Sequence, residues 1–403
     1  MHFYFGPRAL IIAAVAVLLG LLIEKFLPGH GIIWSLRHFF SKVLLANSRL
    51  KLLWLFVLIV FCSFWVPALF PMFLPEKTIE GLSVEKIHDV GPFDMALLPD
   101  GRGLFMVFAH MPERGDRKRG VMKIDFTGKE NKKTFIKIRE DHACFLTVVP
   151  ELNVSIVHSN ARVGGRKRLL TYFIDLAEMK ALKRYERGFR YLIRSTYDPQ
   201  TQKIYLIDKK RTLVEMPVKD FIEGRMSNKR TFALDDVGGF EQALLHPDKK
   251  DRIFCRGEAG NYISELDLAT GKTRNVYLPW GHWDIALDPK RKRLYVARML
   301  KNAVSVIDYE SMTHVRDLFV GGMPRSVLDL GPLNAFAVGQ YCGKKIRIYD
   351  AETFRLLFQI KTCTKVRKLL YDEGNRHLYF SDACGLKRIR FPEHWRMNGV
   401  GAF

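Results

Sequence analysis

Seven short apolar runs each end at a turn that contains an acid or a proline, as in "MALLPDG" (95–101) and "IALDP" (285–289). Aligned on these turns, the runs share one position near their start, and His282 lies two residues before one of these positions. The shared position holds Asp94, Phe145, Arg194, Gln242, Asp284, Arg325 and Arg367. Arginines and an amide can hydrogen-bond an oxyanion. Two carboxylates beside a histidine could instead supply an acid and a base.

Two kinds of chemistry are therefore open for this set. The first is binding of an anionic ligand, and the second is a lactonase or lyase reaction around Asp94, Asp284, His282 and Arg325. Oxygens of Asp94, Glu241 and Asp284 could also hold a calcium-like ion, but three arginines nearby oppose a cation. The chain contains no G-x-S-x-G motif and no phosphate-binding glycine loop. We expect no metal and no cofactor, with binding favoured over catalysis.

The elements that would position these residues recur along the chain. Short β-type runs such as "LYVA" (294–297), "FAVG" (336–339) and "LYFS" (378–381) head seven segments, and the last three intervals are 41, 42 and 42 residues. A repeat of about 40–50 residues with four strands is typical of a β-propeller. Alternating phrases such as "VSVIDYESMTHVRDLFVGG" (304–322) are then the two outer strands of one blade. An all-β, seven-bladed propeller is predicted.

Strands from both ends of the domain should complete the seventh blade. After the last repeat the chain supplies "LYFSD" (378–382) and "KRIRF" (387–391), and before the first repeat it supplies "LSVEKIHDV" (82–90) and "FDMALLPDG" (93–101). Closing the ring in this way leaves no long unpaired strand edge. The aligned position of the seven runs should then surround the mouth of the central channel.

The repeat resembles the YVTN family of seven-bladed β-propellers. "LYVARMLKNAVSVIDYESMTHVRDLFVGGMPRSVLDL" (294–330) matches that pattern best, through "LYVA", "VSVID" and a glycine pair followed by a proline. The resemblance covers about 80–395 and implies an architecture rather than a reaction, because this fold hosts enzymes, haem proteins and binding platforms. The chain has no C-x-x-C-H haem-attachment motif.

Basic residues are concentrated in the segments that should join the second and third strands of the blades. The chain carries 64 Lys and Arg against 42 Asp and Glu, a net charge of +22. The candidate residues for an anionic partner are Arg114, Arg117, Lys118, Arg119, Arg162, Arg166, Lys167, Arg168, Lys209, Lys210 and Arg211. Clustered arginines favour phosphate and carboxylate groups. We expect an anionic lipid surface or an acidic protein surface as the partner.

Two uncharged stretches predict a membrane anchor in residues 1–76. Helices at about 9–27 and 52–75 are each close to the length that crosses a bilayer, and 32–48 between them has the spacing of an amphipathic surface helix. The connecting loop is basic, so it should lie in the cytoplasm. The propeller at 77–395 and the tail at 396–403 would then be periplasmic, which argues against nucleic acid as a partner.

Three cysteines near the end of the domain could form a disulfide. Cys342 and Cys384 occupy the same place in successive blades, and Cys363 lies in the loop between those places. An oxidising compartment would permit one pair to bond, and the sequence leaves the pairing open. Taken together, these patterns predict a membrane-anchored, extracytoplasmic propeller that serves as an accessory or scaffold subunit of a membrane protein complex.

Overall fold

The computed structural model describes residues 82–392, with gaps at 109–119, 129–130, 139–141, 164–165, 188–193, 209–211, 235–240, 258–259 and 280. Within this part of the chain, no helix is long and apolar enough to span a membrane. The predicted anchor helices, the amphipathic connector and the C-terminal tail lie outside the described residues.

The described residues form seven antiparallel four-stranded sheets, which confirms the predicted all-β, seven-bladed propeller. Innermost strand first, the sheets are β2–β5 (Asp94–Leu97, Gly103–Phe108, Gly120–Asp125, Lys132–Lys137), β6–β9 (His142–Val149, Val154–Val163, Arg166–Asp175, Lys180–Arg187), β10–β13 (Ser195–Asp198, Lys203–Asp208, Thr212–Pro217, Arg230–Ala233), β14–β17 (Glu241–Leu245, Arg252–Gly257, Tyr262–Asp267, Thr273–Tyr277), β18–β21 (His282–Asp288, Arg293–Arg298, Ala303–Asp308, Thr313–Phe319), β22–β25 (Pro324–Asp329, Ala335–Gln340, Lys345–Asp350, Leu356–Lys361), and β26–β28 (Lys368–Asp372, His377–Asp382, Gly385–Arg390) with β1 (Val84–His88). One helix, α1 (Val218–Glu223), lies between β12 and β13.

Strand β1 closes the ring by pairing with β28, in a sheet that otherwise comes from the end of the domain. Arg388 on β28 holds Glu85 on β1 through Nε and Nη2, at 2.6 and 3.1 Å. The prediction for "FDMALLPDG" was wrong, because this run supplies β2, the innermost strand of the first blade. A tight turn at 98–102 pairs β2 with the strand that follows it, so the seventh blade takes Lys368–Asp372 as its innermost strand instead.

An aspartate at the end of the third strand explains why one phrase recurs along the sequence. In "VSVID" the carboxylate of Asp308 accepts the backbone N–H of Ser311, and Asp350 at the end of "IRIYD" accepts those of Glu352 and Thr353. Asp267 closes the corresponding turn in the same way. A carboxylate that accepts amides two or three residues ahead fixes a tight turn. Each of these phrases therefore forms the third and fourth strands of a blade.

Apolar side chains fill the seven spaces between neighbouring blades, one cluster to each space. Between the fifth and sixth blades, Tyr295 stacks on Phe336 with ring centroids 4.4 Å apart, and Tyr349 stacks on the other side at 5.3 Å. Both faces of a blade are thus buried, which is why every residue of a second strand such as β3 is apolar and buried. Each large aromatic ring contributes roughly 2–3 kcal/mol through burial. This packing fixes the positions of the strands around the channel.

Candidate functional site at the channel mouth

The innermost strands all begin at the same face of the ring, and a cavity of about 60 Å³ lies among their first residues. Phe93, Phe145 and Trp283 supply its aromatic walls. The charged lining consists of Arg194, Arg256, Asp284, Arg325, Arg367 and Lys368. Five of the seven side chains that the sequence assigned to the channel mouth therefore line one cavity, contributed by blades on different sides of the ring.

Arg194 lies between two carboxylates without a direct hydrogen bond to either. Its Nη2 is 3.8 Å from Oδ2 of Asp94, and its Nη1 is 3.9 Å from Oδ1 of Asp284. The ammonium of Lys368 approaches Asp94 from another side, at 3.4 Å from Oδ1. These separations allow Coulomb attraction while leaving room for hydrogen bonds to a third group. Arg194 and Lys368 therefore stand at a distance from Asp94 and Asp284 rather than in close ion pairs with them.

Asp94 and Asp284 also connect neighbouring blades. Oδ2 of Asp94 accepts the backbone N–H of Leu146 at 3.3 Å, and Oδ2 of Asp284 accepts Ser326 Oγ at 3.2 Å and the N–H of Val327 at 3.3 Å. A buried amide that lost such an acceptor would cost about 1–3 kcal/mol. Each carboxylate therefore has a structural role that accounts for one of its oxygens.

Aromatic rings hold two of the arginines in place. The Arg325 guanidinium carbon lies 4.7 Å from the Trp283 ring centroid and 5.0 Å from that of Tyr341. Arg194 is stacked over Phe145 at 4.7 Å. Stacking on an aromatic face orients a planar guanidinium and leaves its N–H groups directed along the edge. These two arginines are thus fixed in orientation before any ligand arrives.

Gln242 and His282 lie behind the cavity lining rather than in it. Arg256 donates Nε and Nη2 to Oε1 of Gln242 at 3.1 and 2.9 Å, and Nη1 to the backbone oxygen of His282 at 2.6 Å. The His282 side chain is fully buried. Burial, followed by the charge of Arg256, lowers the pKa of His282 to about 4. The imidazole is therefore neutral at pH 7 and is separated from solvent, a poor position for a general base.

Sequence reasoning missed Phe93, Trp283 and Lys368, which are the chain neighbours of the predicted Asp94, Asp284 and Arg367, and it did not place Arg256 of β15 at the mouth. The alignment chose one residue at the start of each strand, whereas the cavity takes side chains from two adjacent positions of the same blade. Alternate residues of a strand point to opposite faces, but this rule does not extend beyond the first residue of a strand, and Phe93 precedes β2 while Arg367 precedes β26. Phe93 and Lys368 adjoin the chosen positions, and this adjacency was the available signal.

The residues predicted to bind an anionic partner fall where the structure does not describe side chains. Arg114, Arg117, Lys118, Arg119, Lys209, Lys210 and Arg211 are outside the described residues, and only the backbone is described at Arg162, Arg166, Lys167 and Arg168. That backbone forms a long hairpin, because β7 and β8 have 10 residues each. Phe145 at the mouth pairs with His158, and β7 continues to Val163. The hairpin therefore extends past the start of its innermost strand, on the channel-mouth side.

Of the three candidate cysteines, Cys363 and Cys384 form a disulfide and Cys342 is a free thiol. Asp382 reinforces this corner of the seventh blade by accepting the backbone N–H of Cys363 at 3.0 Å, that of Cys384 at 2.8 Å and Lys387 Nζ at 2.7 Å. Although the two sulfurs and this carboxylate are clustered, a disulfide has no thiolate to offer a metal ion. The loop held in this way leads directly into Arg367 and Lys368.

Neither models of known protein families nor curated proteins give a match to this chain. The class of the protein is thus defined by its fold and site: a seven-bladed β-propeller with a cationic, aromatic cavity at the channel mouth. The propeller fold by itself is consistent with a protein-binding module. Any more particular function has to be argued from the charges and contacts described above.

Proposed function

We propose that this protein is a membrane-anchored, extracytoplasmic β-propeller that binds an anionic partner with its channel-mouth face, as an accessory or scaffold subunit of a membrane protein complex. The observation that carries the proposal is the cationic cavity. Five cationic side chains, Arg194, Arg256, Arg325, Arg367 and Lys368, line it or hold its walls, against the carboxylates of Asp94 and Asp284.

The basic hairpin of the second blade also supports binding of an anionic partner at the channel-mouth face. Its strands have four residues more than the six of a typical second strand here, and this corresponds to roughly 14 Å of extra reach at about 3.4 Å per residue. The sequence between 162 and 168 is "RVGGRKR". A projecting cationic hairpin beside a cationic cavity would steer an acidic protein surface or an anionic lipid surface towards the mouth.

The membrane anchor is proposed from the apolar stretches at 9–27 and 52–75, with the basic connector between them directing the propeller to the periplasm. The Cys363–Cys384 disulfide supports this placement, because disulfides persist mainly in oxidising compartments. A periplasmic domain also meets anionic headgroups and acidic protein surfaces rather than nucleic acid.

The alternative of a lactonase or lyase is weakened by the geometry of its proposed groups. His282 is buried behind the cavity with a lowered pKa, and one oxygen of Asp94 and of Asp284 is used to join neighbouring blades. The cationic lining also opposes a catalytic metal ion. The described residues at the mouth favour anion recognition over acid–base chemistry.

The test combines topology with partner capture, using the full chain extracted from membranes in mild detergent. Protease added to intact spheroplasts should digest the propeller, and affinity purification should return partners that are released by high salt. Replacing Lys167 and Arg168 with glutamate should reduce this capture. The matched control replaces Lys249 and Lys250 with glutamate; these exposed lysines lie in a turn at the opposite face. A protease-protected propeller, or equal capture by both variants, contradicts the proposal.

A further inference from the structure

The channel-mouth cavity has the size of one small oxyanion group. Its volume is about 60 Å³, whereas roughly 10–15 Å³ of such volume is needed to hold one water molecule. It can therefore take a group of about four or five heavy atoms, such as a phosphate, a sulfate or a carboxylate. An intact folded chain or a large cofactor would not enter, so recognition is limited to a terminal group.

The net positive charge around the cavity favours a ligand with more than one negative charge. Arg194, Arg256, Arg325, Arg367 and Lys368 are opposed by two carboxylates, which leaves a formal charge of +3 at the mouth. Arg256 is engaged by Gln242 and by the backbone of His282, so it contributes charge rather than direct hydrogen bonds. Partial burial strengthens the attraction that the remaining cations exert on an anion.

The direction of the donors distinguishes a tetrahedral ligand from a planar one. Arg194 comes from the third blade, Arg325 from the sixth, and Arg367 and Lys368 from the seventh. Arg194 therefore approaches the cavity from one side and the other three from the neighbouring blades on the opposite side, and stacking on Phe145 and on Trp283 orients Arg194 and Arg325. A carboxylate presents two oxygens in one plane, while a phosphate presents oxygens in four directions. Donors that approach from two opposite sides are better matched by the tetrahedral group.

We propose that the channel mouth binds a single phosphate group, held by Arg194, Arg325, Arg367 and Lys368. This inference rests on the proposed function, because it names the chemistry that the same face recognises. The phosphate is either free in solution, as inorganic phosphate or a soluble phosphomonoester, or it is the headgroup of a phosphomonoester lipid. Both sources present the same dianionic tetrahedral group.

Isothermal titration calorimetry of the full chain in neutral detergent, with inorganic phosphate at low salt, tests the proposal. The parent should bind phosphate at one site, and Arg325→Gln should weaken this binding by about ten- to a hundredfold, as expected for the loss of a charged hydrogen bond. Arg355→Gln is the matched control, because Arg355 is exposed in the turn between β24 and β25 at the opposite face. This control should bind phosphate as the parent does.

Arg367→Gln, in a different blade, provides a second variant, and thermal unfolding verifies that each variant is folded. Succinate is titrated as the carboxylate comparison, because it carries two negative charges on planar carboxylate groups, and it should bind more weakly than phosphate. The proposal is overturned if the parent fails to bind millimolar phosphate, if Arg355→Gln loses as much affinity as the two pocket variants, or if succinate binds more tightly than phosphate.

Vesicles that contain phosphatidic acid, compared with vesicles of phosphatidylcholine, distinguish the two sources. Competition between phosphatidic acid vesicles and inorganic phosphate assigns the group to a lipid, and phosphate binding without such competition assigns it to a soluble molecule. Because the titration uses the purified chain alone, a failed titration rejects the phosphate site while partner capture from membranes still tests the proposed function.

Discussion

The disulfide between Cys363 and Cys384 should contribute a measurable part of the stability of the propeller. The two residues are 21 positions apart, and closing a loop of this length lowers the entropy of the unfolded chain enough to stabilise the fold by about 3 kcal/mol. The bond links the loop before β26 to the turn between β27 and β28, in the blade that closes the ring. The double variant Cys363→Ser, Cys384→Ser should therefore unfold more readily.

The loss should stay near this entropic value, because other contacts retain the local structure. Asp382 accepts both cysteine amides and the ammonium of Lys387, and none of these bonds needs the sulfur atoms. The corner of the blade should keep its conformation when the cysteines become serines. A loss well above 3 kcal/mol would mean that the bond also maintains the native packing.

Urea unfolding of the parent and variants, followed by circular dichroism, measures the difference in unfolding free energy. Cys342→Ser is the control, because its thiol is outside the bond. Mass spectrometry without reductant verifies that the parent contains the disulfide. The reasoning is refuted if the double variant matches a parent that contains the bond, or if Cys342→Ser loses as much stability.

Two further predictions concern packing and pH. Gly91→Ala should lower the unfolding free energy measured in urea by about 1–3 kcal/mol, because a Cβ there would lie 2.2 Å from the backbone oxygen of Asp382. Gly374→Ala introduces no such clash and should lower it less. Equal losses for the two variants would contradict this view of ring closure. Burial, and then Asp288, raise the pKa of Asp329 from 3.8 to about 7. The folded state therefore retains a proton that the unfolded chain loses, and stability should fall as pH rises from about 4 to 7, by roughly 2–4 kcal/mol. Asp329→Asn should flatten this slope in unfolding titrations, and an unchanged slope would show that other groups cause it.

The fold could be predicted from the sequence because its signals are local. Alternating runs predict strands whose buried faces are apolar, and the aspartate of "VSVID" and "IRIYD" closes a turn within three residues of itself. Seven such units cannot bury both faces of their sheets except against one another. The error at "FDMALLPDG" arose because the sequence repeat does not show where one blade ends and the next begins. Only the pairing of β2 with β3 assigns that run to the first blade.

The candidate site was predictable in part. Alignment on the closing turns found Phe145, Arg194, Asp284, Arg325 and Arg367, because every blade presents its first inner residues to the same mouth. It could not tell that His282 turns away into the protein. A β-bulge between His282 and Asp284 shifts the register there, and the sequence carries no separate signal for such a shift.

By itself the sequence determined the number of blades, the N-terminal run that helps to close the ring and the net positive charge of the chain. Only the tertiary structure decided which cysteines bond, which carboxylates join neighbouring blades and which cations share one cavity. The pattern of strands depends on residues that are only a few positions apart, so it can be predicted from the sequence. The cavity brings together side chains from blades more than a hundred residues apart, such as Arg194 and Arg325, and their distances depend on the closed ring as a whole.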